Sequence, residues 1–430
     1  GDRDCSAQRR HQKVLEEAPA PALAASTRAA LHAAAVAIAR AARYQGAGTV
    51  EFLLDETDAF FFLEVNARLQ VEHPVTEEVT GLDLVEQQLR IALGERLDLA
   101  STAPRGHAIE VRLYAEDAAA GFLPATGTAA HVHWPAGVRG DAGIEEGVPV
   151  TADYDPLLAK LVARGEDREA AFRTLADALR ETEVLGVRTN LAFLRALVAH
   201  APLRAGPADT GLIGRDLALL AQPQERAPTE ARALAAAAAL PAVSRETGSC
   251  EARDPWTATG PWRVGRGSVA TIVLRDGEAE LAIEIAGDGP YAALGHRLAR
   301  ATGHHRWTAD GTPASVALTG GALWVAWRGG TYELPLGPRE RSVEAVAAEL
   351  VAPMPGQVLA VHVRAGQPVR RGEILLVIEA MKMELRIEAP ADGIVIAVRC
   401  AAGDVVERGK RLAEFEPAGE GASSRALDRS

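Results

Sequence analysis

Lysine is nearly absent from this chain: Lys13, Lys160, Lys382 and Lys410 stand against 42 arginines in 430 residues. A guanidinium stays protonated and cannot be acylated as an amine can, so a lysine kept in such a background suggests that a primary amine is needed there. Methionine is scarcer still. Two of the three flank Lys382 in Glu379-Ala380-Met381-Lys382-Met383-Glu384, and the third, Met354, lies just upstream. Three cysteines, Cys5, Cys250 and Cys400, lie far apart without CxxC spacing, which excludes a metal or disulfide signature and fits a reducing compartment. The longest apolar run, residues 231–243, is mostly alanine broken by Arg232 and Pro241, too short and weak for a bilayer-spanning helix. Positive charge is also short. The net charge of −12 argues against a nucleic-acid-binding surface. No signal peptide is visible, and the absence of any methionine before Met354 leads us to expect the natural N-terminus upstream of Gly1.

The length calls for two to four domains, and 48% hydrophobic with 24% charged residues describes an ordinary soluble protein. An internal repeat organises the C-terminal part. Shifted by 37 residues, Ala352-Pro353 falls on Ala389-Pro390, Gly356 on Gly393, Val358 on Val395 and Val361 on Val398. Gly366 likewise falls on Gly403, Val369 on Val406 and Gly372 on Gly409. Each half reads as short strands punctuated by glycine turns, and Lys382 falls in the connection between halves, where a hairpin tip would present it to solvent. Outside this pattern, a lone lysine would be read as solvated charge. Here the chain resembles the biotinyl carrier domain, a flattened pseudo-symmetric β-barrel bearing biotin on the lysine of Ala-Met-Lys-Met. The lipoyl domain shares that fold but usually lacks the paired methionines.

Upstream, residues 1–205 alternate strand-like and helix-like patterns. Helices are expected over 27–43, 82–93, 168–185 and 190–200, and strands over 49–54 and 60–72. Residues 206–245 read as a linker carrying an Ala-rich helix capped by Thr229, either a plain connector or a packing element. Residues 246–346 hold five of the six tryptophans (Trp256, Trp262, Trp307, Trp324, Trp327) among short β-like runs and turns, the pattern of an antiparallel barrel or sandwich with tryptophans in its core. A repeat domain over 348–417 and a disordered tail over 418–430 complete a multidomain α+β chain.

Chemistry gathers in Glu64-Val65-Asn66-Ala67-Arg68-Leu69-Gln70-Val71-Glu72-His73-Pro74. As a strand, its alternation would put Glu64, Asn66, Arg68, Gln70 and Glu72 on one face. A merely solvated face usually mixes Thr, Ser and Lys; two carboxylates, two amides and an arginine suit a hard cation such as Mg²⁺ and a small planar anion beside a carboxylate base. Glu51 opens the neighbouring strand as a further carboxylate. The basic run Gln8-Arg9-Arg10-His11-Gln12-Lys13 retains one of the rare lysines, which favours an anion-binding task over plain solvated charge.

Together the two segments resemble the C-terminal part of biotin carboxylase, an ATP-grasp enzyme. The resemblance implies that Glu51, Glu64 and Asn66 coordinate Mg²⁺ (or Mn²⁺) bridging ATP phosphates, and that Gln8 and His11 face the nucleotide. It implies that Lys13, Arg68, Gln70, Val71 and Glu72 hold bicarbonate, with Glu72 as the base, and that Arg139 stabilises the biotin enolate. Ala67 stands where threonine is commoner, and the connection between Glu51 and Glu64 is about one residue longer than usual. The family's Rossmann-like domain and glycine-rich ATP lid have no counterpart before the Mg²⁺-like strand. Carboxylase half, Trp-rich β domain and biotinyl domain in one chain resemble the alpha subunit of a biotin-dependent acyl-CoA carboxylase. That resemblance implies covalent biotin on Lys382 added by a biotin protein ligase, ATP and bicarbonate as substrates, and a carboxyltransferase beta subunit docked by the middle domain of a hetero-oligomer. The location implied is cytoplasmic, or the mitochondrial matrix in a eukaryote. Asp254-Pro255-Trp256 and Gly260-Pro261-Trp262-Arg263 lean toward the methylcrotonyl-CoA branch over propionyl- or acetyl-CoA. A pyruvate- or urea-type carboxylase would need a carboxyltransferase domain that 205–350 does not accommodate. A non-catalytic carrier and docking fragment is the other alternative.

Overall fold

The His107–Tyr114 segment (β5) alternates Ile109, Val111 and Leu113 with Ala108, Glu110 and Arg112, and it is buried along its whole length. Burial on both sides makes it the middle of a sheet, here five antiparallel strands. The order is Asp4–Arg9 (β1), Gln12–Ala18 (β2), β5, then the strands Leu157–Gly165 and Arg139–Ala142. The odd-numbered apolar side of β5 packs on Phe172, Leu175 and Leu179 of the helix Arg168–Glu181 (α4) and on Leu194 and Leu197 of Leu191–Ala199 (α5). Each such large side chain taken fully from water stabilises the fold by about 1.5–3 kcal/mol. The other side receives Val75 and Val79 from the short helix His73–Thr80 (α2), against Ala18, Ala108 and Val162.

This computed structural model describes residues 1–21, 23–97, 103–246, 269–287, 290–338, 348–352, 356–380, 383–407 and 409–417. It forms two compact units, Gly1–Val150 with Leu157–Gly337, and Thr151–Pro156 with Pro338–Ser430. In the first unit, the helix Ala25–Ala41 (α1) leads to a separate hairpin, Thr49–Leu54 (β3) and Phe60–Asn66 (β4), in which Glu51 faces Glu64. Leu53, Leu54, Phe61, Phe62, Leu63 and Val65 of the hairpin are all exposed, Phe61 by 58%. Leu84–Ala92 (α3) is capped by the Asp83 carboxylate, which accepts the Glu86 amide at 2.8 Å.

Two expectations are corrected, and an alternative left open is decided. The 60–72 strand ends at Asn66, so Arg68, Gln70 and Glu72 do not share a strand face with Glu64 and Asn66. Instead the backbone turns, Glu72 becomes the N-cap of α2, and Pro74 sits in its first turn, where a missing N–H costs nothing. Helix 168–185 stops at Glu181, after which Glu183–Leu185 forms a strand. The Ala-rich helix, Thr229–Glu246, is no free linker: Ala231, Ala233, Leu234, Ala235, Ala236 and Ala237 are fully buried.

That helix occupies the core of an eight-stranded antiparallel meander running from Val269–Asp276 to Gly330–Pro335. Leu274 also bridges Leu336 just past the last strand, which curls the sheet toward closure. Alanine follows from the geometry, since a helix ringed by strands leaves room only for small side chains. Trp307 and Trp327 are buried in that core, as expected of core tryptophans, and Trp324 is buried on the other side of the sheet; Trp256 and Trp262 lie outside the described residues. Leu185, from the strand Glu183–Leu185, packs with Trp324 and Ala326 on the sheet's outer side.

In the second unit the 37-residue repeat becomes two four-stranded sheets. Gly356–Val361, Pro368–Val369 and Ile374–Ala380 correspond by that shift to Gly393–Val398, Val405–Val406 and Arg411–Pro417, and each strand and its counterpart lie in opposite sheets. The turn glycines match too: Gly366 and Gly403 have φ 83° and 95°, a left-handed backbone that disfavours any Cβ. Val358, Leu376 and Ile378 centre one core, and Val369, Val395 and Phe415 the other. The tail from Gly419 lies outside the described residues.

Candidate functional site

One carboxylate gathers the polar side chains of three segments. Glu51 Oε1 accepts from Lys13 Nζ at 2.9 Å, Asn66 Nδ2 at 3.0 Å and Gln70 Nε2 at 2.6 Å. Asn66 Nδ2 also donates to Glu64 Oε1 at 2.9 Å, and Arg3 Nη2 donates to Gln70 Oε1 at 2.7 Å. Lys13 bridges onward to Glu72 Oε1 at 2.7 Å. Glu72 is 2% exposed, and its second oxygen accepts from Arg112 Nη2 at 3.0 Å. Val71 contributes its carbonyl, which accepts from Lys160 Nζ at 2.5 Å. Gln8 lies opposite Lys13 in the β1–β2 register.

The cluster therefore unites Lys13, Glu51, Glu64, Asn66, Gln70 and Glu72, with Gln8 and Val71 adjoining it. Arg68 stays at its edge, exposed and held by the Leu69 carbonyl at 3.1 Å. His11 occupies the β1–β2 turn with φ 64° and is exposed, away from these contacts. Arg139 is not brought in. It binds Glu77 at 2.6 Å and Asp141 at 2.9 Å on the edge strand. The guanidinium beside Glu72 is that of Arg112, which sequence reading missed: Glu110-Val111-Arg112 alternates just as a solvated strand does, and no local signal says that α2 and residues 67–72 cover it. Lys382 lies outside the described residues; the paired strands on either side of it end at Ala380 and begin at Met383, which face each other.

Burial would push the Glu72 carboxyl up, but the hydrogen bond and charge of Lys13, with Arg112, hold it below the usual carboxylate range. Glu72 is thus an ionised, buried and doubly held carboxylate. Burial likewise opposes charge on Lys13, and anionic neighbours outweigh it, so the ammonium is retained. Burial raises the Cys5 thiol well above its ordinary range, so Cys5, with Sγ 3.8 Å from Glu72 Oε1, is a neutral neighbour. No group of three or more His, Cys, Asp or Glu side chains suited to a metal occurs among the described residues. The cross-strand carboxylates Glu51 and Glu64 nevertheless fit a hard cation that takes few protein oxygens and shares the rest with phosphate and water, and the Asn66 amide, whose nitrogen links them here, would turn its oxygen to join them.

Three domain families match the chain. "Carbamoyl-phosphate synthase L chain, ATP binding domain" covers residues 1–100, "Biotin carboxylase C-terminal domain" 110–215, and "Biotin-requiring enzyme" 348–415. The chain carries all three of these domains, and its long alignments are to alpha subunits of acyl-CoA carboxylases. It is 36% identical to the mitochondrial methylcrotonoyl-CoA carboxylase subunit alpha of Dictyostelium discoideum, over 89% of this chain and 59% of that protein. It is 37% identical to the propionyl-CoA carboxylase alpha chain of Ruegeria pomeroyi, over 89% and 62%. The chain thus spans about three fifths of the length of these relatives. Among solved structures it is similar to the biotin carboxylase domain of Hydrogenobacter thermophilus 2-oxoglutarate carboxylase, crystallised with MgADP and bicarbonate. That match has a TM-score of 0.51 and 37% identity, covering 52% of this chain and 50% of that one. No described helix is long and apolar enough to cross a membrane.

Proposed function

We propose that this chain serves as the alpha subunit of a biotin-dependent acyl-CoA carboxylase, using ATP and bicarbonate to carboxylate biotin on Lys382. The observation that carries the reading is the Lys13–Glu72–Arg112 bridge beside the carboxylates Glu51 and Glu64, which the Asn66 amide nitrogen links. Lys13 and Gln70 hold bicarbonate, and Glu72 removes its proton so that the anion attacks the γ-phosphate of ATP. Mg²⁺ held by Glu51, Glu64 and Asn66 would supply charge neutralisation for the phosphates. Arg112, in place of Arg139, is the guanidinium set beside Glu72 to stabilise a developing enolate. Biotin, when attached, would carry the carboxyl group to a carboxyltransferase beta subunit docked on the β domain, and the acyl-CoA would be selected there. The named relatives favour methylcrotonyl-CoA or propionyl-CoA.

The test has two arms. Co-expression with a biotin protein ligase should add the mass of one biotin, and Lys382→Arg should abolish the addition. In an alpha subunit of the relatives' full length, Glu72→Gln should abolish bicarbonate-dependent ATP hydrolysis and leave nucleotide affinity unchanged, because it removes a base and no phosphate contact. Labelling that survives in Lys382→Arg, or turnover that survives in Glu72→Gln, would overturn the corresponding assignment.

A further inference from the structure

Glu16 and Glu110 stand directly opposite each other on β2 and β5, and neither exposes any surface. Residues paired across adjacent antiparallel strands place their Cβ atoms roughly 5 Å apart on one face, within reach for two carboxyl groups to meet. Three of their four oxygens, Glu16 Oε2 and both oxygens of Glu110, have no hydrogen-bond partner among the described residues. Only Glu16 Oε1 is engaged, accepting from Arg112 Nε at 2.6 Å, while the same guanidinium reaches Glu72 through Nη2. The charged and titratable groups around the pair are Cys5 from β1, Lys13 from β2, Glu72 ahead of α2, Arg112 and Tyr114 from β5, and Lys160 from the adjoining strand. Lys13 is committed to Glu51 and Glu72, and Lys160 to the Val71 carbonyl and Asp141. One guanidinium is left to serve Glu16 and Glu72, and none directly bonds Glu110.

Two desolvated carboxylates side by side without a dedicated cation cannot both stay ionised; one proton retained between them removes a buried charge and turns an orphan acceptor into a donor. We propose that Glu16 and Glu110 share a single proton, with Glu110 as the neutral acid, and that this pair is the positioning device that aims Arg112 at Glu72. Glu16 is the first of the two to ionise because it holds the Arg112 fork, and Glu110 keeps the proton because it has no other partner. Arg112 is then pinned between two anions and cannot swing away from Glu72 when that base changes its protonation. Burial and neighbouring carboxylate charge act in the same direction. Burial, then Glu16, raise Glu110 well above the usual carboxylate range, and burial offset by Arg112 pushes Glu16 up to about 7. As two coupled groups they titrate as a pair. The consequence for turnover rests on the carboxylase reading above; the shared proton itself does not.

The experiment uses the whole chain and no activity assay. Infrared difference spectra across a pH titration should show a protonated-carboxyl C=O stretch that persists to neutral pH, far above the ordinary Glu value of about 4.3. Glu110→Gln should remove that band, and Glu16→Gln should shift it, since the acid then meets an amide in place of a carboxylate. A second reading comes from melting temperature. A raised folded-state pKa means that the parent loses stability as pH climbs from the unfolded value to the folded one, whereas Glu110→Gln has no proton to lose there. The melting temperature of Glu110→Gln relative to the parent should therefore rise between acidic and mildly alkaline pH. Absence of the band in the parent at neutral pH overturns the proposal even if neither variant folds, and a pH-independent difference in melting temperature does so as well. Failure of the carboxylase reading would show instead in the Lys382 and Glu72 tests, leaving the band in place.

Discussion

The same strand that carries Glu16 buries its neighbour Glu17 on the opposite face, and there the electrostatic outcome is reversed. Glu17 is 1% exposed, and its Oε2 meets His107 Nε2 at 2.8 Å and accepts from Arg168 Nε at 2.7 Å. Burial alone would raise its carboxyl, but these hydrogen bonds outweigh burial and hold it below the usual range. Folding then keeps Glu17 ionised at a pH where the unfolded chain would take up a proton. Its stabilisation is complete above the ordinary carboxylate pKa and is lost as pH falls through the depressed folded value. Glu17→Gln should cost about 2–3 kcal/mol at neutral pH by urea denaturation, and the deficit should shrink in acid. A deficit unchanged by pH would mean that packing, with no contribution from charge, holds that corner. Adjacent residues of one strand thus separate by partner supply alone: Glu17 has the Arg168 guanidinium and the His107 ring, and Glu16 shares one guanidinium with Glu72.

Among the elements, the alanine helix and the hairpin β3–β4 show how far a local pattern reaches. The helix Thr229–Glu246 is alanine-rich because the surrounding strands leave no more room, so Ala236→Leu should overpack the barrel and cost about 1–3 kcal/mol, measured by chemical denaturation. An unchanged stability would place the helix outside the strands. From the sequence alone, the same alanines read equally as a connector, because a helix propensity is indifferent to what surrounds it. The strand expected over 60–72 failed for a related reason. Alternation continued to Glu72, yet Pro74 and the left-handed Gly81 end of α2 fix a short helix directly after it, and residues 67–72 turn to reach its start. Arg68, expected on the same strand face, consequently stays at the rim, while Gln70 and Glu72 arrive from a turn.

At the scale of the whole molecule, the carboxylase part and the barrel share one compact unit, each with its own main core and joined where Leu185 packs on Trp324, and the docking role of the barrel is testable by excision. The excision must take the helix with the strands, residues 229–337, because removal of 246–346 would strip the cover from Ala231 to Ala237. With that excision, biotin addition at Lys382 should be intact, since the carrier repeat closes two cores of its own, and co-purification with a carboxyltransferase beta subunit should be lost. Undiminished co-purification would move the interface to the carboxylase part. Phe61, Leu63 and Val65, alternate residues on one side of β4, are exposed and form an apolar strip of the kind that a further protein segment covers.

The sequence by itself determined whatever depends on order along the chain. The 37-residue repeat predicted the two sheets of the carrier, because glycine turns at matched positions impose matched backbones. Lysine scarcity singled out Lys13 and Lys382, and the run from Glu64 to Glu72 supplied the acid, amide and base types of the site. Tertiary structure alone decided which arginine joins Glu72. Arg112 and Arg139 have comparable local sequence signals, and only the stacking of α2 over the polar side of β5 buries one and leaves the other at an edge with Glu77 and Asp141. It also decided the protonation of Glu16 and Glu110, since desolvation and the supply of cations are properties of the space around a side chain, and the sequence does not record that space.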